Sequence, residues 1–187
     1  MTETIISIFL GVGLAASVGF RVFLPLFALS LASYFNIWEL NSSWVWIGSL
    51  TAVITLGVAT LIEILGYYIP FVDNMLDTIA IPLAAVAGTA VMVSTVADLS
   101  PVITWALAII AGGGTAATIK SAAGASRLTS TATTAGLGNP LVSTVETGTS
   151  IVMSIFSIFL PILAFVLVIF VLFVIFKLYK KIKPSKP

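Results

Sequence analysis

The chain has 187 residues, 59% of them hydrophobic and only 8% charged, with a mean hydropathy of +1.20 and a net charge of +1. Soluble domains carry about 25% charged residues, so this composition predicts an all-α, polytopic integral membrane protein and makes the lipid bilayer its first partner. The near-neutral charge argues against nucleic acid as a partner, and the absence of cysteine and histidine excludes disulfides, thiol catalysis, His/Cys metal sites and serine–histidine triads.

In chain order, Met1–Ile6 has no basic residue ahead of the apolar run, so residue 1 is expected to belong to the mature chain. The run Ile5–Phe35 is too long for one straight span, which takes roughly 20 residues. Gly19 and Pro25 are where it is expected to break. Arg21 is its one charge. Gly13, Ser17 and Arg21 share a helix face, beside Gly11, Ala15 and Gly19. Residues 36–43 read as a turn, flanked by Trp38, Trp44 and Trp46 at a membrane interface. In Trp44–Tyr68, the residues Gly48, Ala52, Thr55, Ala59, Glu63 and Gly66 form a small or polar face. The next span, Asp77–Ala97, is preceded by YYIPFVDNMLD, which puts Asp73 and Asp77 one turn apart at a helix start, where the dipole favours acids. Asp98–Pro101 reads as a tight connection into a fourth span, Val102–Ile119.

From Lys120 to Asn139 the chain turns rich in Ser, Thr, Ala and Gly, with Lys120 and Arg127 as its charges. It is too polar for lipid, and fits a broken or re-entrant element packed inside protein; a disordered linker is the other reading. The last segment, Ser150–Phe176, continues a stripe of Ser143, Glu146, Thr147, Ser150, Ser154, Ser157 and Pro161, and is apolar all round beyond Pro161. Residues 177–187 hold five of the eight basic residues, which by the positive-inside rule makes the tail cytoplasmic.

A weak internal match suggests two halves, 1–99 and 100–176, within one transmembrane domain. IPFVDNMLD (69–77) aligns with NPLVSTVET (139–147), and the small residues before Arg21 align loosely with those before Arg127. Transporters often carry such repeats with the site between them. Each small-residue stripe also has a plain reading as helix packing, but all three contain a charge. A charge at the bilayer centre costs roughly 2.5–3.5 kcal/mol on insertion scales, so it usually pairs or faces a cavity. Arg21 is therefore expected to face inward and pair with Glu63, Asp77 or Glu146, with snorkelling as the alternative.

The G-x-R-x-x-L-P pattern (Gly19, Arg21, Leu24, Pro25), together with LGYYIPFVDNMLD and the Lys120/Arg127 segment, resembles a bacterial integral-membrane family catalogued only as a domain of unknown function. The resemblance covers about residues 8–175 and implies a bacterial cell membrane but no activity. A fainter likeness joins the arginine-plus-proline broken segment to the DedA/VTT proteins implicated in moving lipid carriers; this sequence lacks their second arginine after the proline.

The resulting expectation is a helical bundle of four to six spans with broken or re-entrant segments. It would transport or flip a small or lipid-linked substrate whose anionic group meets Arg21, Lys120 or Arg127. Glu63, Asp73, Asp77 and Glu146 would act as counter-charges or proton carriers. The alternative is a non-transporting scaffold or lipid-binding protein with structural ion pairs. No enzymatic activity, cofactor or metal is expected; a second copy of the chain, in a homo-oligomer, is a further candidate partner.

Overall fold

The structure is a computed structural model that describes residues 2–97 and 99–182. It is all helical: α1 (Thr2–Phe20), α2 (Phe23–Tyr34), a 3-10 helix (Ser42–Gly48), α3 (Leu50–Gly66), α4 (Pro70–Thr95), α5 (Pro101–Leu107), a π-helical turn (Ala108–Gly113), α6 (Gly114–Thr134), α7 (Asn139–Phe159) and α8 (Pro161–Ile182). Among the described residues five stretches are long and apolar enough to cross a membrane, the α5–α6 unit counting as one. A sixth arises if the 3-10 helix and α3, bent by 64°, form one span.

Side-chain contacts fix the direction of each helix. Ser17 on α1 bonds Ser150 and Ser154 on α7, and Trp38 just beyond α2 donates to the Ile158 carbonyl near the end of α7. The chain therefore turns back at Arg21, and α2 runs antiparallel to α1. The same reasoning carries α3 down to the Arg21 level, where Glu63 meets Val22 and Phe23. It carries α4 away from that level, since Gly11 packs on Met92 and Thr95. The α5–α6 unit returns, with Ala116 and Ile119 on Gly19; α7 leaves, and α8 returns from Phe9–Phe165. The two described ends of the chain thus lie at opposite ends of the bundle. Lys177, Lys180 and Lys181 lie at the end where Arg21 sits, and Lys183 and Lys186 are outside the described residues. Trp38, Trp44, Trp46 and Trp105 gather toward the other end, with Trp44 stacked on Trp46 at 6.2 Å.

α1 is the central helix, packing on α4, α6, α7 and α8. Its glycines explain how. A Cβ on Gly11 would strike Met92, one on Gly19 would strike Ile119, and one on Gly13 would strike Ser157. The expected face Gly13–Ser17–Arg21 is buried throughout, as is the α7 stripe Ser143, Glu146, Ser150, Ser154 and Ser157. On α3 the buried face is instead Ala52, Thr60, Glu63 and Gly66, and Thr55 faces outward. α8 is the least enclosed span, as its uniformly apolar surface predicts.

Four features differ from expectation. The break in the first run falls at Arg21–Val22, between the two residues named for it, and Pro25 sits harmlessly in the first turn of α2. The polar stretch after Lys120 is a continuous helix to Thr134, neither broken nor a loop. Its hydroxyls make this workable, because Thr118, Ser121, Ser126 and Thr129 each bond the carbonyl four residues back, so these four donors are satisfied within the helix. The helix start ahead of Asp77 comes earlier, at Pro70, and the last segment divides at Leu160–Pro161 into two spans. Asp98, in the expected tight connection, lies outside the described residues.

Candidate functional site

All seven ionisable residues singled out from the sequence converge toward the lysine-bearing end of the bundle. Arg21 stands in the gap between α1 and α2 and has no solvent-accessible surface. Its Nε donates to Thr147 Oγ1 (2.9 Å), Nη1 to Glu146 Oε2 (3.2 Å), and Nη2 to both Ser143 Oγ (2.6 Å) and the Ser143 carbonyl (2.8 Å). Ending α1 there frees its side chain to reach across to α7. Of the three acids expected to pair with Arg21, Glu146 is the partner.

Glu63 does something else. Its Oε1 and Oε2 accept the backbone N–H groups of Val22 (2.7 Å) and Phe23 (2.9 Å). These are orphan donors at the start of α2, so a carboxylate from a different helix supplies the cap that the local sequence Arg21-Val22-Phe23 lacks.

Arg127 on α6 is the second hub. It donates from Nη1 to Asp73, from Nη2 to Glu146 Oε2, and from Nε to Glu146 Oε1 (3.2 Å), while Asp77 stands 3.9 Å from Nε. Asn139 at the start of α7 holds the other oxygen of Asp73 (3.2 Å). Asp77 is the most exposed member of the cluster, at 29%.

Tyr67, just past α3, is the piece the sequence reading did not pick out. Arg21 Cζ lies 4.1 Å and Arg127 Cζ 4.2 Å from its ring centroid, and Lys120 Nζ donates to its hydroxyl (3.1 Å) and to the Phe20 carbonyl (3.4 Å). Cations over an aromatic face are attracted by the ring quadrupole, so one ring gathers all three basic residues. No carboxylate oxygen among the described residues lies within 4.0 Å of Lys120 Nζ. The signal for Tyr67 was present in LGYYIP, where an aromatic sits four residues after Glu63, yet nothing in the spacing sets it apart from an interface tyrosine.

Formally the cluster holds three positive and four negative side chains. The starts of α2, α4 and α7 also point at it, each supplying a fraction of positive charge. Every buried side-chain donor and acceptor among the described residues has a partner.

The sequence profile described as "Domain of unknown function (DUF4126)" matches residues 8–181. The chain belongs to the DUF4126 family. The matched region contains every member of the cluster, from Arg21 to Thr147. No curated protein and no solved structure matches the chain, so for this member of DUF4126 the chemistry has to be read from the cluster and its surroundings.

Those surroundings include an apolar cleft of about 1350 Å³ between α6, α7 and α8. Its walls carry Ile119, Ala122, Val145, Leu172, Ile175 and Tyr179 among others. Among the described residues Glu146 is its one charged lining residue, and Glu146 is also the carboxylate that both arginines hold. The cleft thus runs from an apolar, lipid-compatible wall to the buried cluster.

Proposed function

We propose that this protein moves or flips an amphipathic, anionic or lipid-linked substrate across the membrane. The apolar part would rest in the α6–α7–α8 cleft, and the anionic group would exchange with Glu146 at the buried basic residues Arg21, Arg127 and Lys120. The observation that carries this reading is the position of Glu146, which faces an apolar cleft on one side and two guanidiniums on the other. An anion arriving along the cleft meets Glu146 first. Protonating that carboxylate would remove its charge and release donors on both arginines, which is a direct way to couple a proton to an anion. Glu63, Asp73 and Asp77 are counter-charges in this scheme. The basic tail is assigned to the cytoplasm on the positive-inside rule, in the cell membrane of a bacterium.

The test is reconstitution into phosphatidylcholine vesicles containing trace headgroup-labelled phosphatidylglycerol, with movement between leaflets read by quenching from outside. Wild type is expected to equilibrate the label, and Glu146→Gln and Arg21→Gln to slow it at least about tenfold, the worth of one charge-assisted hydrogen bond, while still eluting as folded protein. A wild-type protein that moves no label overturns the reading.

A scaffold held by structural ion pairs is the second reading, favoured by the complete internal pairing of the buried polar groups. It expects wild type to move nothing and Arg21→Gln to aggregate.

A further inference from the structure

The two arginines occupy matching but chemically unequal half-sites. When 69–77 is aligned with 139–147, Pro70 matches Pro140, Asp73 matches Ser143 and Asp77 matches Thr147. Both stretches open a helix with proline in its first turn, α4 and α7, and α4 and α7 run in the same direction. So do α1 and α6, which bring the arginines. The partners are exchanged between halves. Arg127 from the second half lies on Asp73 and Asp77 of the first, and Arg21 from the first lies on Ser143 and Thr147 of the second. Both guanidiniums lie on the Tyr67 ring, at nearly equal distances from its centroid. The repeat expected from the sequence is thus matched here by helices that run parallel, not inverted.

The inequality is one of charge. Arg127 faces Asp73, Asp77 and both oxygens of Glu146. At the corresponding positions Arg21 has two neutral hydroxyls, and its one carboxylate within 4.0 Å, among the described residues, is the Glu146 that Arg127 already grips. Lys120 sits on the same ring and bonds the carbonyl of Phe20, next to Arg21, with no carboxylate of its own at that distance. Glu63 is the other acid near Arg21, but both its oxygens are taken by backbone N–H groups. When Glu146 loses its charge, Arg127 keeps two carboxylates and Arg21 keeps none. A hydroxyl can also turn to donate to an incoming anion, which a carboxylate cannot do.

We infer that Arg21, Ser143 and Thr147 form the anion-binding subsite, suited to a phosphate-type oxyanion, with Lys120 as the adjacent cation. Arg127, occupied by Asp73 and Asp77, is the fixed half that holds Glu146 between them. This rests on the anionic-substrate reading above and says which arginine takes the anion.

The experiment measures binding of dodecyl phosphate, inorganic phosphate and dodecyltrimethylammonium to the purified full chain in maltoside detergent, by calorimetry. Wild type is expected to bind dodecyl phosphate and not the cationic amphiphile. Thr147→Asp and Ser143→Asp, which give Arg21 the carboxylates Arg127 already has, are expected to weaken dodecyl phosphate at least about tenfold without loss of thermal stability. If the aspartates do not fold, Thr147→Val removes the hydroxyl alone and should weaken binding about threefold to tenfold, with Thr147→Ser restoring it. Inorganic phosphate binding with the same dependence on Thr147 upholds the subsite and makes a free anion the ligand. If wild type binds dodecyl phosphate but Thr147→Asp and Ser143→Asp bind it equally well, the subsite is wrong and the anionic-substrate reading stands. If wild type binds neither phosphate, both fall.

Discussion

A buried arginine needs its charge answered within reach, and among the described residues Glu146 is the one carboxylate within 4.0 Å of Arg21. Removing one partner of a buried pair leaves the other uncompensated, at a cost of about 3–5 kcal/mol. Arg21→Gln is therefore expected to destabilise the protein by that amount in a detergent unfolding assay. Glu146→Gln should cost at least as much, because it leaves Arg21 with no carboxylate and takes one of three from Arg127. The double variant should cost less than the sum by about 0.5–3 kcal/mol, the usual coupling of residues in contact. Strict additivity would mean that Arg21 and Glu146 do not depend on one another. The alternative of a snorkelling arginine is overturned by geometry: its polar atoms are spent on α7, and none of its surface is accessible.

At the level of helices, two features hold the cluster in place. The first is the cap on α2. Glu63→Ala strips the acceptor from two backbone N–H groups, each costing about 1–3 kcal/mol if left unmet, whereas Glu63→Gln keeps one oxygen for one of them. Alanine should therefore lower the unfolding midpoint clearly more than glutamine; equal effects would show that the cap contributes through charge alone. The second is the crossing of α4 with the π-helical turn. A Cβ on Gly112 would lie 2.5 Å from the Gly88 carbonyl oxygen, and one on Gly88 would lie 2.7 Å from that of Gly112. Backbone cannot yield as a side-chain end can, so Gly112→Ala should cost about 1–3 kcal/mol. Gly114→Ala, with nothing within 4 Å of its Cβ, should be neutral or stabilising by up to about 1 kcal/mol. Equal stability of the two variants would mean that the close approach is not required. π-helical turns are rare and frequent at functional sites, and this one stands directly before α6, which carries Lys120 and Arg127.

For the whole molecule, the alternation of helix directions puts Glu3 and Lys181 at opposite ends of the bundle. The chain has no cysteine, so Glu3→Cys and Lys181→Cys can each be labelled alone. In intact cells an impermeant maleimide is expected to reach position 3 and not position 181. Labelling of both from one side would refute either the direction of α8 or the turn-back at Arg21.

The sequence by itself determined the solvent, the helical class, the packing stripes on α1 and α7 and the identity of the charged residues. Each of these follows from composition or from a period of three to four residues, which are local properties. It also contained the matching 69–77 and 139–147 segments, whose register the two half-sites keep. Only the tertiary structure decided which charge meets which. Glu63, Asp77 and Glu146 look alike as acids on helices, and the choice among them depends on the chain reversing at Arg21, which brings α7 and α3 to the same gap from opposite directions. The breaks were misplaced for a related reason. A helix end is set by what satisfies its orphan backbone groups, and here the satisfying carboxylate lies about forty residues away in the chain. Tyr67 could not be told from an interface tyrosine, because one ring shared by two guanidiniums is a property of three helices meeting, and no spacing along one of them encodes it.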